Sequence, residues 1–142
     1  MLAEQQFNIS KLELELVQKQ IDKHDDISTK IKAWAITLWA AMIGWSFQVK
    51  RKELLVLVIV ALFLFWILDA INKNFRQGYR ARRQEVSEAF QFYIKNSIWP
   101  ESFISPEISK SYSYWGVVKN FFRPHLFLSY LSLIIISVYL LF

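Results

Sequence analysis

The sequence predicts an all-α membrane protein: three transmembrane helices, the second continuing into a long cytosolic helix, and an amphipathic helix ahead of the first. Three observations carry this. Residues 54–68 form an unbroken apolar run of Leu, Val, Ile, Ala, Phe and Trp, closed by Asp69. Residues 126–142 carry no charge and are interrupted only by hydroxyl-bearing side chains. Residues 33–49 are apolar but for Thr37, Gly44, Ser46 and Gln48, and Lys32 and Lys50 bracket them. A bilayer core of ~30 Å takes roughly 20 apolar helical residues, so each stretch is close to spanning length. Long lysines at the ends reach back to the headgroups.

The chain divides accordingly. Residues 1–30 read as a cytosolic amphipathic helix. Residues 31–71 read as a transmembrane hairpin with spans near 32–49 and 54–71. A basic amphipathic cytosolic helix occupies 72–96, an aromatic interfacial segment 97–123, and a C-terminal span 124–142. Of the 142 residues, 54% are apolar and 17% aromatic, high for a soluble protein. The chain has no cysteine, which excludes disulfides, thiol catalysis and thiolate metal sites. The first thirty residues are polar with mixed charge, so the expectation is no cleaved leader, the first span serving as the insertion signal.

Orientation follows from basic residues near the spans. Lys19, Lys23, Lys30 and Lys32 precede the first span. Lys73, Arg76, Arg80, Arg82 and Arg83 follow the second, and Lys110, Lys119 and Arg123 precede the third. Against them the first loop offers Lys50, Arg51 and Lys52. This puts the N-terminus and residues 72–123 in the cytosol, in a multi-pass arrangement.

Each element has its own signature. Over residues 10–30, Ser10 with Glu13 three positions on is a capping-box pattern, and Leu14, Val17, Ile21, His24 and Ile31 lie near one face. His24 beside Asp25 and Asp26 lacks metal-ligand spacing, and no metal or cofactor is expected. In the first span Thr37, Ala40, Ala41 and Gly44 share a small-residue face. Such a face permits close helix packing in lipid or, with Thr37 and Ser46, lines a pore. Trp34 and Trp45 suit the two interfaces. No proline stands between Asp69 and Pro100, so the second helix can run on. Along it, Lys73, Arg76, Arg80 and Arg83 form a basic stripe beside an apolar one of Ile71, Phe75, Tyr79, Val86, Phe90 and Ile94. That apolar stripe needs a partner, in this chain or another copy. Gly78 marks a hinge or a close neighbour. Pro100 and Pro106 then break the helix, Ser105-Pro106-Glu107 is a helix-start signal, and Tyr112, Tyr114, Trp115, Phe121 and Phe122 lead into the last span.

Chemistry is sparse. There is no nucleophile elbow, no phosphate-cradling glycine loop and no converging histidine–carboxylate set, so the chain does not read as an enzyme. Asp69, at the end of a span, is costly without a partner. It pairs with Lys73 one turn on, or several copies ring a cation path. The basic stripe has three readings: positive-inside contact with anionic lipid, phosphate binding, or docking of an acidic protein. Arginine favours bidentate phosphate contact. Phe75, Tyr79, Phe90, Phe92 and Tyr93 are placed to stack on bases.

The stretch Lys30-Ile31-Lys32-Ala33-Trp34, the segment AAMIGWSF (40–47) and the block FWILDAINKNFRQGYRARRQEV (65–86) resemble the SLATT group. Those are small two-span bacterial membrane effectors encoded beside nucleotide-signalling enzymes in antiviral defence. The resemblance covers roughly residues 20–95, and the third span departs from the two-span pattern. It implies a homo-oligomer in the inner membrane that forms an ion-conducting pore or disrupts the bilayer when a nucleotide-derived signal changes, as in CBASS-like systems. The Hailong-like arrangement, in which short single-stranded DNA holds the effector shut, is related, and either implies an operon-encoded nucleotidyltransferase. Carried onto this chain, the phosphate-binding candidates are Lys73, Arg76, Arg80, Arg82 and Arg83. The base-stacking candidates are Phe75, Tyr79, Phe90 and Tyr93, and the pore candidates are Thr37, Ala41, Gly44 and Asp69. The alternative is a non-conducting membrane scaffold that recruits a soluble partner through its cytosolic helices.

Overall fold

The computed structural model describes residues 2–107 and 114–142, and among them there are four helices and no strand. Helix α1 is Leu2–Val49, α2 is Glu53–Asn96, α3 is Tyr114–Phe121 and α4 is Pro124–Leu141. Lys110 and Tyr112, used above in the charge and aromatic arguments, lie outside the described residues, as does the turn of helix expected directly after Glu107. The helical hydrogen bonding of α2 is continuous through Asn72 and Gly78.

Helix α1 begins well before the expected cap. Glu4, Gln5 and Gln6 are good helix formers and extend it N-terminally. Ser10 is therefore an interior residue, fully buried, and Glu13 bonds elsewhere than to the Ser10 backbone, which corrects the capping-box reading. The turn after α1 is a Schellman closure. Lys50 takes the left-handed conformation (φ 57°), and Arg51 N–H donates to Ser46 O at 3.2 Å. Ser46 Oγ adds a bond to Arg51 O at 3.1 Å. Helix α2 ends in the simpler left-handed closure, with Ser97 at φ 56° and its N–H donating to Tyr93 O at 2.7 Å.

Two compact units form, and each helix of the α1–α2 pair contributes to both. The first comprises Met1–Asp25 and Phe75–Tyr112. Its interior holds Val17, Ile21, Val86 and Ala89. An aromatic chain extends it: Phe7 packs edge-on to Phe90 (centroids 5.2 Å), and Trp99 stacks on Tyr93 (4.9 Å) and on Phe103 (5.7 Å). The second unit comprises Asp26–Asn74 and Ser113–Phe142. Its core is Ala35, Val58, Leu62, Trp66, Leu126 and Tyr130. Phe121 of α3 lies flat on Trp66, with centroids 3.9 Å apart, and its carbonyl accepts the indole N–H at 3.1 Å. Helix α4 is tied further by Trp39 Nε1 donating to Ser137 Oγ (3.0 Å) and Lys52 Nζ donating to Leu141 O (3.0 Å).

This division redraws two sequence boundaries. Residues 97–123 are not one segment: Trp99 and Phe103 join the aromatic chain of the first unit, while Tyr114 onward belongs to the second. Residues 1–30 likewise divide after Asp25. Helices α2 and α4 are long and apolar enough to cross a membrane. The 33–49 stretch of α1, with Trp34, Trp39, Trp45 and Gln48, falls short of that apolar standard.

Candidate functional site

Within the second unit the informative group is Asp69, whose side chain is 0% exposed. A buried carboxylate survives only with donors and a cation around it. Ser28 Oγ donates to one oxygen at 2.6 Å, and Tyr130 OH approaches the other at 3.5 Å. The cation is Lys32 of α1, its Nζ 3.8 Å away and its side chain part-exposed. The sequence offered Lys73 on the same helix; the ion-pair partner found is one helix across.

This geometry separates the four pore candidates. Asp69 faces inward, toward α1 and α4, whereas Thr37, Ala41 and Gly44 lie on the exposed face of α1. Thr37 Oγ1 is satisfied by Ala33 O at 2.8 Å, and a side chain added at Gly44 would meet nothing. One chain therefore does not bring the four to a common path.

In the first unit the arginine stripe divides by helical phase. Arg82 is buried, its side chain 6% exposed, and its guanidinium is spent inside the fold. Nε donates to Glu13 Oε1 at 2.7 Å, Nη1 to Glu85 at 3.1 Å and Glu107 at 2.9 Å, and Nη2 to Ile104 O at 2.7 Å. Ser105 Oγ also donates to Glu13, and Glu107 N–H approaches it at 3.4 Å. Burial pushes the Glu13 carboxyl up, but bonds from Arg82, Ser105 and the Glu107 backbone outweigh it and hold the group below its ordinary range. Burial likewise lowers Arg82, and its carboxylates more than restore it. Arg82 is thus a structural tie and is withdrawn from the phosphate-binding set.

Arg76 bonds to Asp25, and Arg80 Nη2 stands 3.9 Å from the same carboxylate, half-exposed. Arg83 donates to Gln18 Oε1 at 2.9 Å on the surface. Arg80 and Arg83 thus remain outward-facing guanidinium groups, and Lys73 lies on the second unit's part of α2. Of the stacking candidates, Phe90 and Tyr93 are taken into the aromatic chain, and Phe75 and Tyr79 each stack on His24 at 6.0 and 5.6 Å. The neighbouring carboxylates are also engaged, Asp25 with the arginines and Asp26 with Lys30 at 2.6 Å. No group of three or more potential metal ligands occurs among the described residues.

No family model, curated protein or solved structure matches the chain. Sequence reasoning missed Ser28 and Tyr130 as partners of Asp69, and Ser105 and Glu107 as partners of the Arg82–Glu13 pair. All four roles depend on contacts distant in sequence. The last span carries two tyrosines, Tyr130 and Tyr139, and only helical phase tells the buried one from the exposed one.

Proposed function

We propose that the chain is an oligomeric effector of the bacterial inner membrane, held by three spans near residues 32–49, 54–71 and 124–142, that permeabilises the bilayer in antiviral defence. Its spans carry the N-terminus on the cytosolic side, in keeping with the basic residues flanking them. The observation that carries the membrane part is the outward face of the second unit. Only 33% of the apolar stretch of α2 and 17% of that of α4 are buried within the chain. Leu57, Phe63, Leu64, Leu128 and Ile135 stand exposed, and so do Trp34, Ile36 and Phe47 of α1. An apolar surface of that extent is unfavourable in water and natural in hydrocarbon. The exposed side of α1 at 33–49 matches the other two helices in this, which supports counting it as a span despite its tryptophans.

The signal is a phosphate-bearing nucleotide or short single-stranded oligonucleotide, met by Arg80 and Arg83 of the first unit. It acts by binding closed and open states with different affinity. The test is leakage of a trapped dye or ions from vesicles containing the purified chain, with and without short oligonucleotides. A leak that responds to the oligonucleotide supports this reading, and the absence of any leak removes it.

A second reading has its own support. Asp69 is satisfied inside one chain, and the outward small residues of α1 carry no charge. A non-conducting scaffold that recruits a soluble partner needs nothing more. It predicts intact vesicles under all conditions.

A further inference from the structure

We infer that copies of the chain associate head to tail through two unlike surfaces of the first unit: a leucine–lysine stripe on α1 and an acidic, aromatic-walled cleft beside α2. This rests on the oligomeric reading above and names the surfaces that would bring it about.

The stripe is Ile9, Leu12 and Leu16, continued by Lys19 and Lys23. At roughly 100° per residue these five fall within about 80° of arc. The buried face of Ser10, Glu13, Val17 and Ile21 is centred well round the helix from it. Leu12 is 60% and Leu16 63% exposed, and no described element of the chain covers them. Of the acids beside it, Glu15 lines a different hollow with Gln18 and Arg83, and Asp22 accepts a hydrogen bond from Gln18 at 2.8 Å. The stripe is therefore apolar at one end and cationic at the other.

The cleft has the complementary character. It measures about 530 Å³ and is walled by Phe92, Phe103 and Ile104, with Glu85, Glu88 and Glu107 against Arg82, the one cation among the described residues that line it. Arg82 also serves Glu13, so one guanidinium is shared among three carboxylates before Glu88 is considered. Glu85 and Glu107 keep 42% and 44% of their side chains exposed toward solvent. Among the described residues that line the cleft, acids outnumber bases and two aromatic rings supply apolar walls, which suits an aliphatic side chain next to an ammonium group.

An anionic lipid surface would satisfy the lysines and be repelled by the cleft. A basic soluble partner would satisfy the cleft and leave the leucines bare. A second copy satisfies both. Because the two patches differ, each bound copy presents a fresh patch of the other kind, and such contacts close into rings or extend as filaments.

The absence of cysteine makes the test direct. Full-length chains carrying Leu16→Cys are co-expressed with chains carrying Ser102→Cys, a cleft residue, and oxidised mildly in the membrane. A mixed disulfide dimer is expected, and a ladder of higher species from the doubly substituted chain. Separately, Glu88→Lys should weaken self-association at least about tenfold, like charges then opposing, and Lys19→Glu in the same chain should restore it. Glu88 is exposed and accepts a bond from Gln84 one turn back, so the change spares the core. Leu16→Cys pairing only with itself overturns the proposal in favour of a two-fold contact. Oligomers caught by an amine-reactive cross-linker while the 16–102 pair stays unlinked overturn this interface and leave oligomerisation standing. A chain that is monomeric by every cross-link removes both.

Discussion

Arg82 and Glu13 meet at 2.7 Å with 6% and 7% of their side chains exposed, joining α2 to the N-terminal part of α1 and drawing in Ser105 and Glu107. Removing one member of such a pair strands the other in a poorly solvated place. Glu13→Gln is expected to destabilise the protein by about 3 kcal/mol, and Arg82→Ala by at least as much, since three carboxylates would then face one another. The loss is read as a lower midpoint in thermal unfolding followed by circular dichroism.

The same pair fixes a pH dependence. The folded-state pKa of Glu13 lies below its ordinary 4.5 because Arg82, Ser105 and Glu107 favour the ionised form over the opposing effect of burial. A depressed carboxylate contributes stability that is fully present above its unfolded pKa and disappears as pH falls through the folded value. Melting temperature should therefore hold above about pH 5 and decline below about 4.5. Glu13→Gln should flatten that decline, and an unchanged profile in the variant would refute the assignment.

Lys50 closes the α1–α2 turn in a left-handed conformation that a β-carbon disfavours by roughly 1 kcal/mol. Glycine occupies this position without that strain. Lys50→Gly should therefore stabilise the protein by about 0.5–1 kcal/mol, provided unfolding is measured in detergent at fixed concentration. A destabilised variant would mean that the Lys50 ammonium contributes more than the strain costs.

The helices were legible in the sequence because apolar runs and long proline-free stretches act locally. The run closed by Asp69 and the charge-free C-terminus read directly as long apolar helices, and α2 and α4 meet that expectation. What stayed concealed were roles decided by helical phase and distant partners. Arg82 sits in a cluster of arginines and looks like its neighbours, yet two residues round the helix from Arg80 it points at Glu13. Phe90 and Tyr93 looked available for stacking because Phe7 and Trp99, which occupy them, lie elsewhere along the chain. Ser10 and Glu13 matched a local capping pattern that a longer helix overrode.

Within the basic stripe, Arg80 and Arg83 are the guanidinium groups left facing solvent, so the phosphate-binding proposal now depends on them. Replacing both with alanine should weaken binding of a short fluorescent oligonucleotide by at least about tenfold, the size expected when hydrogen bonds to charged groups are lost. It should also make the remaining binding less sensitive to salt, because fewer phosphates are neutralised. Thermal stability should change little, in contrast to Arg82→Ala. Unaltered affinity in an anisotropy titration would detach the stripe from ligand binding.

Asp69 provides the sharpest distinction between a path-lining and a fold-holding carboxylate. Its oxygens are directed at Ser28, Lys32 and Tyr130 within one chain, and none of its side chain is exposed. Asp69→Asn preserves the shape and one acceptor but removes the charge that Lys32 faces. The expected outcome is a stability loss of about 1–3 kcal/mol in detergent, with ion selectivity of any leak unchanged. Lys32→Met in the Asn background should recover part of the loss, because the unpaired ammonium is removed as well. Altered cation-to-anion permeability with unchanged stability would instead place the carboxylate on the conducting path, and would require α4 to move away from it in the assembled state.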